Sequence, residues 1–272
     1  MNKIREPAVA GMFYPKSPDK LIKQLQFLLE STKPNERFSE IVGIVSPHAG
    51  YQYSGKTAAY AYNTLREKEY KTVFILSPSH HEYFPGISIY EGDAYSTPLG
   101  TVSLNKEVIS VLTDNNSIIF EGMAGHRNEH SVEVQIPFLQ MILENFSIVP
   151  LVLGDQKKLY VDELARKLAD VFDENSLIVA SSDLSHFYTK AEAHKLDSIV
   201  SERIAKFDFE GLQHDLENDV CEACGGGAIV ALMETANLLN KKNSKILSRS
   251  DSGDVSGDNS EVVGYLSAVV YE

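Results

Sequence analysis

IVGIVSPH (residues 41–48) and TVFILSPSH (residues 72–80) decide the fold. Each is a short β-branched run that ends in Ser-Pro and then delivers a histidine. An apolar run without polar alternation reads as a strand covered on both faces, the habit of a mainly parallel sheet. Proline has no N–H for a ladder, so Pro47 and Pro78 end the pairing. His48 and His80 then fall in loops just past the carboxyl ends of their strands. In open α/β sheets that edge is where ligand crevices form, and two such loops on neighbouring strands would aim both rings at one point.

Working outward, Ile148–Leu153 (IVPLVL) and Leu177–Ala180 (LIVA) repeat the buried-strand pattern. Apolar residues at helical spacing mark Pro18–Ser31, with Ser17 as the expected cap, and also Gly55–Lys68, Val161–Phe172 and Ala191–Phe207. Strands alternating with helices predict βαβ units. The expected fold class is therefore α/β, a central mostly parallel or mixed sheet flanked by helices, with residues 1–272 forming one domain. Ile87–Leu104 breaks the pattern with period-two alternation around Thr97-Pro98-Leu99-Gly100, and predicts an antiparallel hairpin or edge ribbon. Ser248–Glu261 is rich in Gly, Ser and Asp and reads as a long loop, a candidate rim or lid. Val262–Tyr271 is the last strand.

Composition narrows the function. The chain has 272 residues and 43% apolar content, enough for a sizeable core. Asp and Glu number 38 against 25 Lys and Arg, a net charge of -13. Such a surface repels phosphate backbones and anionic lipid, which argues against nucleic acid and membrane as partners. No apolar run is long enough to span a bilayer, and the start MNKIREPAVAGMFYP lacks the apolar core of a secretory signal. The reading is a cytoplasmic protein. Its two cysteines, Cys221 and Cys224, fit a reducing compartment.

The chemistry-bearing residues gather at strand ends and one helix start. Neutral imidazoles such as His48 and His80 are common metal ligands; each could instead cap its own turn. Cys221-Glu222-Ala223-Cys224-Gly225-Gly226-Gly227 precedes a helical stretch. Its glycines let the backbone approach another group closely, and a thiol at a helix N-terminus is expected to favour thiolate. His48, His80 and Cys224 on three loops would leave a metal ion with open positions, as catalysis requires. Two other readings stay open: buried, inert cysteines, or a C-x-x-C redox pair. Asp183 and His186, just past Leu177–Ala180, are candidates to orient a ligand or move a proton. Glu129–Pro137 is expected to begin a helix, placing His130 and Glu133 on one face behind the metal or in an acid–base relay. His81 is expected to point away from His80; with Tyr51 and Glu133 it is a candidate ligand contact. His126 has no assigned place, and His194 and His214 read as surface.

Several stretches, in this order, carry a resemblance: AVAGMFYP, SPHAGYQYSG, ILSPSHH, TPLG, EHSVEVQIPF, SSDLSHF, ACGGGAI and GYLSAVVY. The chain resembles the Memo family, including the "AmmeMemoRadiSam system protein B" members, nearly end to end. The resemblance implies a fold like that of class III extradiol dioxygenases, which hold iron(II) with two His and a Glu. His48 and His80 match the two His ligands and Cys224 stands in the carboxylate position. Asp183 and His186 match polar pocket residues, and Phe13 an aromatic at the mouth. Some relatives carry Trp at the Phe13 position, and Arg-His where this chain has Gly225-Gly226. The resemblance implies one divalent metal ion, iron(II) first, with zinc or copper as alternatives because sulfur is a softer donor. It implies a dioxygenase-like oxidoreductase; the alternatives are a non-catalytic metal- or peptide-binding module and a metallohydrolase. A small-molecule or peptide ligand, and AMMECR-type and radical SAM proteins, are the implied partners.

Overall fold

The computed structural model describes residues 3–32, 36–66 and 68–272. In chain order these form β1 (Ile4–Arg5), α1 (Pro18–Glu30), β2 (Ile41–Ser46), α2 (Tyr51–Asn63), β3 (Thr72–Pro78), β4 (Ile87–Tyr90), β5 (Ala94–Thr97) and β6 (Gly100–Ser103). There follow α3 (Lys106–Thr113), β7 (Ile119–Gly122), α4 (Ile136–Ile142), β8 (Ser147–Leu153), α5 (Lys158–Val171), β9 (Ser176–Ser181) and β10 (His186–Tyr188). The last elements are α6 (Lys190–Ala205), α7 (Phe209–Glu217), α8 (Gly226–Leu238), β11 (Asn243–Asp251), α9 (Gly253–Ser256) and β12 (Val262–Tyr271).

The main sheet has the strand order β10-β12-β2-β9-β3-β8-β4-β7, with β11 paired to β12. Its centre, β2-β9-β3-β8, is parallel. On one side β12 runs antiparallel to β2, and on the other β4 runs antiparallel to β8. The architecture is thus α/β with a mixed sheet flanked by helices, as expected. Every residue of β2 and β9 is buried, which explains why neither run alternates. Helix α8 covers β9, β2, β3 and β12, with α5 and α7 against it; α2 covers β12, β11 and β2 and carries α1 and α4. In α1 the buried face is Leu21, Leu25, Leu28 and Leu29. Each of these contributes about 1.5–3 kcal/mol on burial.

The structure corrects several local expectations. Strands β2 and β3 are not neighbours, because β9 lies between them. Ile87–Tyr90 joins the main sheet, and only Ala94–Ser103 forms the hairpin, in a three-stranded sheet with β1. Residues 248–251 belong to β11, so the loop is shorter and holds the one-turn α9. Ser17 precedes α1 but makes no side-chain cap bond; Pro18, with its φ preset, starts the helix. The helix expected over Gly55–Lys68 runs Tyr51–Asn63, and residue 67 of that span lies outside the described residues. The segment before Pro137 is a 3₁₀ turn, Glu133–Gln135, and Pro137 sits in the first turn of α4 where no N–H is needed.

Glu133 has a structural place. Its carboxylate is buried, paired with Arg5, and accepts from the Tyr14 hydroxyl and the N–H groups of Ala8 and Val9. Arg5 also donates to the carbonyls of His126 and Glu129. This buried pair ties the N-terminal segment to the loop before α4. Glu133→Ala would leave Arg5 buried without its partner, and should lower unfolding free energy by about 3–5 kcal/mol in urea titrations; a change under about 1 kcal/mol would contradict the placement.

Candidate metal centre

Three parallel strands end together. The β2–β9 register runs to Ser46 opposite Ser181, and the β3–β9 register to Leu76 opposite Ala180. The residues that follow, Pro47-His48, Ser182-Asp183 and Ser77 to His80, therefore emerge at one sheet edge. The Cys221–Gly225 turn reaches that edge from the start of α8. Cys224 N–H donates to the Asp183 carbonyl (3.2 Å), and Asp183 N–H donates to Cys224 Sγ (3.2 Å). Gly225 is required here, since a Cβ would lie 2.2 Å from the Ser181 carbonyl oxygen. Gln156 pins the same turn, donating to the Cys224 carbonyl and accepting from Gly227 N–H, both at 2.7 Å.

His48, His80 and Cys224 each bring one donor atom, and these lie within 4.8 Å of one another. His48 Nε2 is 3.2 Å from Cys224 Sγ. Metal–nitrogen bonds of about 2.0–2.1 Å and metal–sulfur bonds of about 2.3 Å fit such a spacing. His80 Nδ1 lies 2.9 Å from Glu129 Oε1, and His80 N–H donates to Oε2 (2.7 Å). A carboxylate only accepts, so Nδ1 carries the hydrogen, and in the neutral ring Nε2 keeps its lone pair. Burial works against charge on His80, yet the Glu129 bond wins and raises its pKa. His130, with His80 and Glu129, forms a second group of metal-capable residues. There Glu129 Oε1 already accepts from His80, from the His130 and Ser131 N–H groups, and from the Ser131 hydroxyl. In the set His48, His80 and Cys224, an ion would displace the contact between His48 Nε2 and Cys224 Sγ.

Burial keeps several groups of the site neutral. Burial lowers His48 well below the ordinary imidazole value, so its contact with Asp183 Oδ2 at 4.0 Å is not an ion pair. Asp183 Oδ1 accepts from His48 N–H (2.8 Å), and burial pushes its carboxyl up to about 7. Burial also pulls His130 down to about 4 and lowers His186. The thiolate expectation is corrected: burial, then Asp183, pushes the Cys224 thiol up, overriding the helix start. Its sulfur rests against His48 Nε2 at 3.2 Å.

Other expected residues fall in different places. The His130 ring stacks on His80 (4.8 Å between centroids) and meets Phe13 edge-on (4.8 Å). Phe13 is held there because its carbonyl accepts from Tyr51 N–H (2.8 Å). Tyr51 itself is buried, its hydroxyl spent on the Val134 carbonyl, and Glu133 is spent on Arg5; neither side chain is open to a ligand. His81 is exposed, as are His194 and His214. A cleft of about 400 Å³ opens on the Cys224 side, lined also by Leu184, His186, Gln156, Gln213 and Glu222. Phe13, His48 and His80 do not line it. Cys221 is buried and free, its thiol raised by burial to about 11. Glu129, Ser181, Gln135 and Gln156 were not singled out in the sequence. Only Glu129 had a local signal, its place beside His130.

A mixed α/β protein with a His₂Cys donor set at the carboxyl edge of its parallel strands is the class that this geometry defines. A family model described as "Memo-like protein" matches residues 5–269, and the chain belongs to the Memo family. A MEMO1 family protein of Thermoplasma volcanium is 39% identical, covering 98% of each chain. Another, of Methanocaldococcus jannaschii, is 36% identical over 99% of this chain and 100% of its own. Among solved structures, an uncharacterized protein from Escherichia coli K12 superposes with a TM-score of 0.52 at 13% identity. It covers 85% of this chain and 99% of that one, a likeness of fold alone.

His126 turns out to be a core residue, held by Tyr95 Oη at Nδ1 (2.8 Å) and the Ser88 carbonyl at Nε2 (3.1 Å). Burial pulls it down to about 4. The unfolded ring takes a proton below about 6.5, the folded one only below about 4, so protons favour unfolding in that window. Stability should fall as pH drops from 6.5 to 4, by up to about 1.4 kcal/mol per pH unit for this ring. Denaturant midpoints measured across that range should fall less steeply for His126→Gln than for the parent; equal slopes would show that this ring does not contribute.

Proposed function

We propose that His48, His80 and Cys224 hold one divalent metal ion, and that the protein is a dioxygenase-like oxidoreductase with iron(II) as the favoured ion. The observation that carries this reading is the approach of three donor atoms to within 4.8 Å, with His80 Nδ1 already occupied by Glu129. When bound, iron(II) would bind and activate O₂ or a substrate oxygen. The chain's own residues would do the rest. His80 is oriented by Glu129, and Asp183 N–H supports the sulfur. Asp183, poised at about 7, can give or take a proton close to the ligands. His186 faces the cleft beside Cys224, and His130 stays neutral as a proton acceptor on the His80 side. Phe13 packs against His130 and helps exclude water there.

One observation supports a second reading. The sulfur donor is soft, which favours zinc, or copper in its lower oxidation state, over iron. With zinc the same pocket would suit a metallohydrolase, whose nucleophile is a zinc-bound water. The broader proposal takes the chain as one domain, since a single core draws on residues from Val9 to Val270. It also takes the protein as cytoplasmic, acting on a small-molecule or peptide ligand, with AMMECR-type and radical SAM proteins as partners. No described helix is long and apolar enough to cross a membrane.

Elemental analysis of protein purified without oxygen tests the reading. The expected content is about one ion per chain, falling close to zero in His48→Ala and Cys224→Ala. Unchanged content in both variants would refute the ligand assignment. Iron together with oxygen uptake on catechols or other phenols supports the oxidoreductase, and zinc with no oxygen uptake supports the hydrolase.

A further inference from the structure

The Ser181 hydroxyl sits at the centre of a buried hydrogen-bond cluster that the metal reading leaves unused. Its Oγ lies 2.7 Å from the Ser131 carbonyl, 2.8 Å from Gln135 Nε2 and 2.9 Å from His48 Nδ1. Ser181 and Ser131 are 0% exposed, and Gln135 and His48 1%, so these bonds are shielded from solvent. A hydroxyl has one proton to give and two lone pairs to offer.

One assignment satisfies all three contacts as hydrogen bonds. A carbonyl oxygen only accepts, so Ser131 takes the hydroxyl proton. The Gln135 amide cannot be flipped. Its Oε1 accepts from the Tyr62 hydroxyl (2.6 Å), and its Nε2 donates to the Pro47 carbonyl (3.1 Å). Reversing it would set Oε1 against that carbonyl and against the Ser181 oxygen. One Ser181 lone pair is therefore filled by the Gln135 N–H. The other faces His48 Nδ1, which must carry a hydrogen. An imidazole that is neutral and protonated at Nδ1 has a bare Nε2, and the Cys224 sulfur lies on that side at 3.2 Å.

We propose that Ser181, oriented by the Ser131 carbonyl and the Gln135 amide, is a positioning residue that locks His48 in the Nδ1–H tautomer and so presents its Nε2 lone pair to a metal ion. This inference rests on the metal reading for its consequence, though the tautomer itself does not. His80 reaches the same tautomer by different means, through the Glu129 carboxylate. One ligand is thus backed by a charge and the other by a neutral hydroxyl, an asymmetry invisible in the Ser-Pro-His echo of the sequence. Partners placed behind a metal-bound imidazole typically contribute 10–100-fold in affinity.

Long-range ¹H–¹⁵N NMR of the protein stripped of metal reads the tautomer directly, and zinc competition against a chromophoric chelator reads affinity. The parent should show His48 protonated at Nδ1. Ser181→Ala should shift the ring toward Nε2–H and weaken zinc binding by about 10–100-fold. Ser181→Thr, which keeps the hydroxyl, should restore both. Nε2–H in the parent would overturn the inference, and needs no variant to fold. So would Ser181→Ala with Nδ1–H retained and zinc affinity within about twofold of the parent. If the parent shows Nδ1–H while His48→Ala binds zinc as tightly as the parent, the metal reading fails and the tautomer lock stands.

Discussion

The site depends on one constraint, the pairing of β9 between β2 and β3. Parallel strands in register end at the same edge, so Ser46, Ser181 and Leu76 bring their following residues out side by side. Adjacent strands are about 4.8 Å apart, so β2 and β3 stand about twice that distance from each other. Imidazoles reaching inward from the two outer loops can meet over the middle strand, and the middle strand supplies what lies between them. That is why Asp183 and Ser181 contact His48. The α8 turn closes the arrangement because Gly225 has no side chain to hold it off the Ser181 carbonyl.

Burying so many polar groups is costly unless each finds a partner. For its ionisable groups the molecule meets this demand in two ways. Charge is placed where it can be paired: Glu129 behind His80, and Glu133 with Arg5. Elsewhere the groups stay neutral, as His48, His126 and His130 do under burial. Two acids one helical turn apart in sequence thereby take unrelated jobs. Glu129 orients a ring at the site, while Glu133, only four residues on, ties the N-terminal segment down. The tie matters to the site as well, since the same segment carries Phe13 onto His130.

Much of the fold was legible because buried strands write themselves as apolar runs. Ile41–Ser46, Thr72–Pro78, Ser147–Leu153 and Ser176–Ser181 all stand where those runs predicted. The misreadings came from segments whose surroundings decide their state. Ile87–Tyr90 and Ala94–Ser103 share one alternating pattern yet join different sheets. Residues 248–251 are polar and still extend β11, because β12 beside them offers a ladder. Tyr51 looked like a pocket residue next to His48, but the start of α2 turns its ring into the core. Cys224 looked like a thiolate at a helix start, but a helix end adds only a modest field, and burial beside Asp183 outweighs it.

The sequence by itself determined the four central strands, the positions of His48, His80, Asp183 and Cys224 at element ends, and the family. Local pattern is enough for these, since proline stops, glycine turns and apolar periods act over a few residues. Tertiary structure alone decided which strand lies between the two histidines, which acid backs which ring, and which nitrogen holds the proton. Those depend on pairing across 50 to 135 residues, as between Ser181 and Ser131 or His48 and Asp183. Hydrogen-bond donors and acceptors can be counted off against each other only once the chain has brought them together.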